Sequence, residues 1–436
     1  MAADETWLVA IDDDPTGCQS VSGVPLLTAW DDDTLTAAAR RRAPVTFVLT
    51  NSRSLPQADA ADVNREVGAA LARVATAEGV GLRLISRSDS TLRGHFPAEV
   101  EALTDGAGLA ADGVVICPAF FEAGRFTAGG IHWVHRDGEM VPARDTEFAA
   151  DATFGFTELT LAGWARARGA PAEVIDVGLE ELSRNDVDAI ASRLRGVTGG
   201  QAVVVNATNY AHLSVFDAAA RRAEAAGTVL VYRTAPSFVR AAAGLGPPAV
   251  AAFESVERPP DRGLVVVGSH TDITNAQVAE ALGVHDILLV ELDASAVLDT
   301  VRGQDHVAQI AATAADGLNR GSVLLRTSRG LITDDDTRTP LEISRAVADA
   351  VVETVRMVTA TTAPDWVVAK GGITSHDLLT SAFGVRTAEV VGQALPGIIP
   401  VLDIVVAGRR VPFVIFPGNV GDETTLVKVL DRLSAS

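Results

Sequence analysis

Short apolar runs rich in valine, isoleucine and leucine recur along the chain, with longer polar-faced stretches between them. WLVAI (7–11), VTFVLT (45–50), LRLIS (82–86), GVVIC (113–117), AVVVN (202–206) and VLVYR (229–233) read as strands. Between the second and third, residues 58–79 carry apolar side chains at helical spacing and stop on Gly79. The alternation predicts parallel strands joined by crossover helices, and runs apolar on both faces predict a sheet covered on both sides. A second series follows at 264–269, 287–292, 322–327, 366–372 and 413–419. Between the two series, residues 244–263 hold four prolines and no clear period, the best linker candidate. The expected fold class is α/β with two domains, each a mostly parallel sheet flanked by helices, and the active site in the interdomain cleft. The predicted boundaries are 1–245, a linker at 246–262, and 263–436. Residues 119–170, rich in glycine and aromatics, have the least regular pattern and read as a long functional loop. No internal repeat or low-complexity tract is visible.

Length agrees with this division, because 436 residues exceed one ordinary core. A 47% hydrophobic and 21% charged composition is that of a globular chain. No apolar run approaches the ~20 residues that span a bilayer, and MAADETW has no basic region leading into an apolar one. The expectation is a cytoplasmic protein without a signal peptide. Cys18 and Cys117 are the only cysteines, too few for a zinc site. The net charge of −20 argues against non-specific nucleic-acid binding, though local arginines can still receive a small anion. Only Lys370 and Lys428 are lysines, so lysine-dependent motifs are easily checked.

In an open α/β sheet, ligands bind beyond the carboxyl ends of the strands. Several polar clusters fall there. Asp12, Asp13 and Asp14 follow the first strand, and Arg53 the second. Arg87, Ser88, Asp89, Ser90, Thr91 and Arg93 follow the third, and Arg125 the fourth. Arginines can clamp a carboxylate through paired N–H donors while aspartate and serine hold hydroxyls, a pocket for a small polyhydroxy acid. Each piece has a plainer reading: a solvated turn at DDDPTG, a helix cap at SDSTLRG, surface arginines at 53 and 125. Their joint placement at one end of a sheet favours the functional one.

The second series carries glycine-rich strand-to-helix turns: Gly268-Ser269; Gly371, Gly372, Ile373 and Thr374; Gly418, Asn419 and Gly421. Such turns let backbone N–H groups approach a phosphate, and three in one domain suggest a nucleotide. Tight turns are the alternative for each. Neither lysine lies in a GxxxxGK[ST] string, and no GxGxxG follows the first strand, so P-loop and dinucleotide folds are unsupported. HWVH puts His132 and His135 three apart, where packing is preferred to a metal site.

Together these segments resemble the four-carbon acid sugar kinase family over nearly the whole chain. Its DDxTG is matched at 13–17, its arginine after the second strand by Arg53, DSTLRG at 89–94 and PAFxxxGR at 118–125. GS is matched at 268–269, GGxTS at 371–375 and GNxG at 418–421. DSTLRG is the most specific of these. Arg87 stands where many members have lysine, GHFPAE replaces GN(I/L), and FPGNVG replaces KSGNFG. The resemblance implies an N-terminal sugar-acid domain, a C-terminal nucleotide domain, and ATP-dependent phosphorylation of a hydroxyl on threonate, erythronate or 3-oxotetronate. It implies Asp13 or Asp14 as acceptor of the hydroxyl proton, arginines 53, 87 and 93 on the acid, and the glycine loops on ATP. Mg²⁺ is the expected metal, with its ligands unassigned. The expected partners are thus a small sugar acid and ATP, with no nucleic acid and no membrane; a homodimer is the assembly to look for.

Two other functions are coherent with the residues. DDDPT contains D-x-D-x-T, so Asp12 as nucleophile and Asp14 as acid would suit a haloacid dehalogenase-type phosphatase. That reading leaves the second domain unexplained. The altered FPGNVG would suit a degenerate kinase that senses a sugar acid.

Overall fold

The computed structural model describes residues 6–136, 138–253, 262–269, 271–299, 302–328, 339–396 and 399–434. The start of MAADETW and residues 254–261 of the proline-rich segment lie outside the described residues. The chain divides into two compact units, Met1–Pro248 and Ala249–Ser436.

In the first unit the strands are β1 (Thr6–Asp12), β2 (Val24–Leu27), β3 (Thr46–Leu49), β4 (Gly81–Arg87), β5 (Gly113–Cys117), β6 (Arg125–Ala128), β7 (Ile131–Arg136), β8 (Glu139–Pro142), β9 (Val174–Val177), β10 (Gln201–Val205) and β11 (Leu230–Thr234). Eight form a parallel sheet in the order β2-β3-β1-β4-β11-β5-β10-β9. β1 lies between β3 and β4, so the crossovers leave it in opposite directions, the position where open α/β sheets bind ligands. Register sets Asp12 opposite Leu49 on β3 and Arg87 on β4. Trp7, Val9 and Ile11 alternate onto one face, against Leu35, Val67, Leu71 and Val74. The last three come from the helix Gln57–Glu78, which ends as predicted on a left-handed Gly79.

The expected long loop at 119–170 contains a small sheet, β6-β7-β8, all antiparallel. Gly129 and Gly130 have φ of +61° and +73°, the conformation a two-residue hairpin turn demands. That pair was the signal for a hairpin, and the strands are only four to six residues long.

The second unit contains β12 (Gly263–Val267), β13 (Ile287–Leu292), β14 (Ser322–Thr327), β15 (Trp366–Lys370), β16 (Thr387–Gln393), β17 (Pro400–Val406) and β18 (Arg409–Phe416). Their order is β13-β14-β12-β15-β18-β17-β16; the first five are parallel, and β16 and β17 add antiparallel neighbours beyond β18. Val265, Val267, Val368, Val414 and Phe416 meet Val278, Leu426 and Val429 from helices Asp272–Val284 and Thr425–Ser434 in one core. Ahead of β12, Ala251 donates its N–H to Gln393 and Ala249 accepts from it, so this stretch of the proline-rich segment runs along β16. Among the described residues no helix is long and apolar enough to cross a membrane.

Candidate functional site

β1 ends on Asp12, and the backbone then turns so that three carboxylates follow one another at the switch in the sheet. Asp12 and Asp13 are buried, and Asp14 is partly open. Such crowding requires cations. Arg87, ending β4, sends Nη1 to Asp12 Oδ1 at 3.0 Å and to Asp13 Oδ1 at 3.4 Å. Arg53, in the single turn Ser52–Ser54 after β3, donates Nε and Nη2 to the two oxygens of Asp13 at 3.1 and 2.5 Å, and Nη1 to Asp14 at 3.1 Å. The same guanidinium lies 3.7 Å from Asp89. Asp89 also accepts from Arg93 Nε and Nη2 at 3.0 and 3.3 Å and from the Thr91 N–H. Arg125 Nη1 donates to Ser90 Oγ at 2.5 Å.

The sequence-predicted residues thus converge, with one exception. Ser88 donates its N–H to Thr234 O and its hydroxyl to Ser86 O, so it closes the end of the sheet and takes no part in the aspartate–arginine cluster. His132 is buried, with Nδ1 on Thr127 Oγ1 at 3.1 Å and Nε2 on Ser90 O at 2.7 Å, so both ring nitrogens are used in packing. His135, three residues on in the same strand, faces the opposite side and is exposed.

The three aspartates differ electrostatically. Burial pushes Asp12 up to about 7 against the pull of Arg87. Burial would also raise Asp14, but Arg53, Arg87 and the Thr16 hydrogen bonds outweigh it and hold it below the usual carboxylate range. Arg53 and Arg93 do the same for Asp89 more strongly. Asp12 is closed off as well: a Cβ on Gly17 would stand 1.9 Å from its Oδ2, so the backbone is packed against that carboxylate.

Two residues of this cluster were not legible in the sequence. Arg233, near the end of β11, is 1% exposed; its Nη2 donates to Arg93 O at 2.9 Å, but Nε and Nη1 have no partner among the described residues. Trp164 and Phe96 lie 4.9 and 5.7 Å from its guanidinium carbon, and burial lowers it to about 10. Glu99 accepts from Ser52 Oγ at 2.5 Å, and burial and then Asp13 raise it to about 7. A Cβ at Gly94 (φ +111°) would lie 3.2 Å from Asp13 Oδ2, 3.7 Å from Glu99 Oε2 and 3.8 Å from Arg233 Nη2. Among the described residues, buried guanidinium donors without partners remain at Arg87, Arg125 and Arg233. Since buried polar groups are almost always satisfied, these suit an anionic ligand or ordered water.

In the second unit the glycine turns meet one another. A Cβ on Gly268 would strike Thr374 Oγ1 at 1.9 Å, and one on Gly418 would lie 2.6 Å from Ser269 Oγ. Thr271 and Thr274 hydroxyls both donate to Gly418 O at 2.8 Å, tying the loop after β18 to the helix after β12. Gly371 has φ +123°, a conformation side chains disfavour. It opens the turn into Gly372–Asp377, whose first N–H groups lack carbonyl partners inside the helix. Gly421 serves its own turn, since a Cβ there would collide with Thr425, and Asn419 is exposed.

Beside these turns lies a cavity of about 490 Å³, lined by Gly268, Ile373, Thr374 and Asp377 and by Ile343, Val347 and Val351 of helix Pro340–Thr361. Such a size and apolar lining suit a flat heterocycle. Lys370, the last residue of β15, is buried, with Nζ 3.0 Å from Pro417 O and 4.0 Å from the Phe416 ring centroid. Burial lowers it to about 7. Periodicity alone could not show that the 340–361 helix borders this cavity.

Residues 8–242 match the family model of a sugar-binding N-terminal domain, and residues 264–426 that of a nucleotide-binding C-terminal domain. The chain is 36% identical over 194 residues to a D-threonate kinase of Bordetella bronchiseptica, covering 40% of this chain and 44% of that one. It is 31% identical over 219 residues to a D-threonate kinase of Cupriavidus necator (43% and 48%). To a D-erythronate kinase of Heliobacterium modesticaldum it is 26% identical over 287 residues (65% and 60%). The chain therefore spans about half the length of the curated relatives it matches. Two crystal structures, of proteins from Haemophilus influenzae and Salmonella typhimurium LT2, superpose with TM-scores of 0.65 and 0.69 over 97% of the chain. At 17% identity each, they show a shared fold.

Proposed function

The chain belongs to the four-carbon acid sugar kinase family, and from that premise we propose that it transfers the terminal phosphoryl group of ATP to a hydroxyl of a threonate-, erythronate- or 3-oxotetronate-like acid. The observation that carries this reading is Arg53, which joins Asp13, Asp14 and Asp89 from two separate motifs beside buried guanidinium donors lacking partners. A site already containing paired carboxylates and still short of acceptors suits a ligand that brings its own carboxylate.

Asp13 is the group we assign to take the hydroxyl proton. Among the described residues its Oδ2 has one hydrogen-bond partner, Arg53 Nε, and it faces the room left by Gly94. Asp12 is fully enclosed and anchors Arg87, which disfavours it as a phosphatase nucleophile. Arg53, Arg87, Arg93 and Arg125 orient the acid, with Ser90 and Thr91 beside them. Arg233 adds positive potential at the same point, so the alkoxide forming on the acid would meet a field already in place.

The second unit's turns and cavity fit ATP: the apolar wall would take the base, and the backbone N–H groups of Ser269 and of the first turn of Gly372–Asp377 the phosphates, those of Gly268 and Gly371 being held by Lys370 O and Phe416 O. When bound, ATP supplies the phosphoryl group. Among the described residues no three His, Cys, Asp or Glu side chains are grouped to hold a metal ion. Magnesium usually needs only one or two protein carboxylates beside nucleotide phosphates. Asp14 is the member of the triplet that fits, with its side chain 23% exposed against 4% for Asp13. Mg²⁺ there would neutralise phosphate charge.

The test is ADP release from ATP and Mg²⁺ by the intact chain with a panel of four-carbon sugar acids. At least one acid should raise release well above the acid-free rate. No acid-dependent release, or acid binding without any nucleotide binding, would remove the kinase reading in favour of a sensor.

A further inference from the structure

Phe148 stands out among the aromatics of the 143–160 segment. Phe154 and Phe156 are buried: Phe154 packs edge-on against His95 at 4.9 Å, and Phe156 joins the core with Trp164 and Val134. Phe148 is only half-buried, and what it meets is charge. The guanidinium carbons of Arg93 and Arg125 each lie 5.2 Å from its ring centroid. Its turn is held at both ends, by Ala149 N–H to Thr146 O and by Phe156 N–H to Ala149 O, both 3.1 Å. Arg168 clamps the carbonyls of Phe154 and Gly155 at 2.9 Å, so the ring rests on a fixed support.

Without the ring, Arg125 would be poorly directed. Arg93 is tied to Asp89 by Nε and Nη2, while Arg125 has only Ser90 Oγ and a buried Nε without a partner. Arg125 forms no ion pair among the described residues, and its neighbour Arg93 repels it. An aromatic face attracts guanidinium groups and fixes the plane in which they lie. A ring shared by two arginines therefore sets where both point.

We propose that Phe148 is a positioning residue whose ring aligns Arg93 and Arg125, and so fixes the length of hydroxy acid that the pair accepts. The inference rests on the sugar-acid kinase reading for the identity of the ligand but not for the alignment itself. The required property is the aromatic face, which Leu lacks at similar bulk and Tyr retains.

The experiment compares the full-length wild type with F148L and F148Y. With the best four-carbon acid, F148L should raise KM about five- to tenfold with kcat within about twofold, and narrow the preference over five-carbon acids. F148Y should restore both. The Nε–Hε resonances of Arg93 and Arg125, assigned through R93K and R125K, should move in F148L and return in F148Y. Equal behaviour of F148L and F148Y, or a fall in melting temperature with KM unchanged, overturns the inference. Resonances indifferent to F148L overturn it whether or not any acid binds. If the resonances respond as expected but the wild type accepts no acid, the alignment stands, while the kinase reading and the ring's part in choosing an acid both fall.

Discussion

In the first unit Arg53 reaches three aspartates, and Arg87 two, before any ligand is considered. In the second, Lys370 directly precedes the Gly371 turn, and among the described residues its partners are a backbone carbonyl and a phenylalanine ring. One region has its charges paired and aligned in advance. The other keeps a cation in a setting that disfavours charge until an anion arrives. Side-chain pairs with fixed geometry discriminate among small ligands by shape, whereas backbone N–H groups and a single ammonium accept phosphate with little regard for what it is attached to. On the proposed reading, an acid site of the first kind and a nucleotide site of the second would divide a kinase's work in this way.

The largest separation between the regions should come from Asp13→Asn. Removing the proposed proton acceptor should lower turnover by about 10²–10⁴-fold with nucleotide affinity unchanged in calorimetry. Retained turnover would remove Asp13 as the acceptor, and lost nucleotide affinity would erase the contrast. Next comes Lys370→Met, which should weaken nucleotide binding by roughly ten- to a hundredfold and leave acid binding alone.

The smallest effects are on stability against pH, and they have opposite signs in the two units. Lys370 falls from 10.5 to about 7 on folding, so between those values the unfolded chain holds more protons and stability should rise with pH. Lys370→Met should flatten that rise in denaturant titrations. Glu99 rises from 4.5 to about 7, so the folded chain holds more protons in that window and stability should fall as pH climbs through it. Glu99→Gln should flatten the fall. Slope changes of the same sign in the two variants would break the comparison.

How much of this was legible follows from distance along the chain. Asp12 to Asp14, Arg53, Arg87 and Asp89 to Arg93 stand where apolar runs stop, and a parallel sheet gathers such ends at one edge whatever the details of packing. Arg233 also ends an apolar run, but its partner carbonyl lies 140 residues away and its aromatic neighbours come from a distant turn and a helix, so nothing local reveals its role. Glu99 reads as an ordinary first-turn acid of the helix Ala98–Gly106 until Ser52 is seen beside it. β2 and β9 escape the sequence reading because four residues cannot establish a period, and β16 because Glu389, Gly392 and Gln393 break its apolar run; β17, seven mostly apolar residues, was legible and was not read. β13 and β14 match the sequence reading to the residue, since each is built on a compact apolar stretch, ILLV and VLL.

The pairing of β1 with both β3 and β4 has a consequence for how the acid site comes into being. Asp12 faces Arg87 across β1–β4 because Thr6 faces Gly81, and every intervening pair is in step. A slip of one residue along that ladder would send alternate side chains to the opposite surface and scatter the carboxylates from their guanidiniums. The charge arrangement is thus all-or-none: an incompletely zipped chain holds no weaker copy of it, and newly made molecules would pass from inert to competent in one cooperative step.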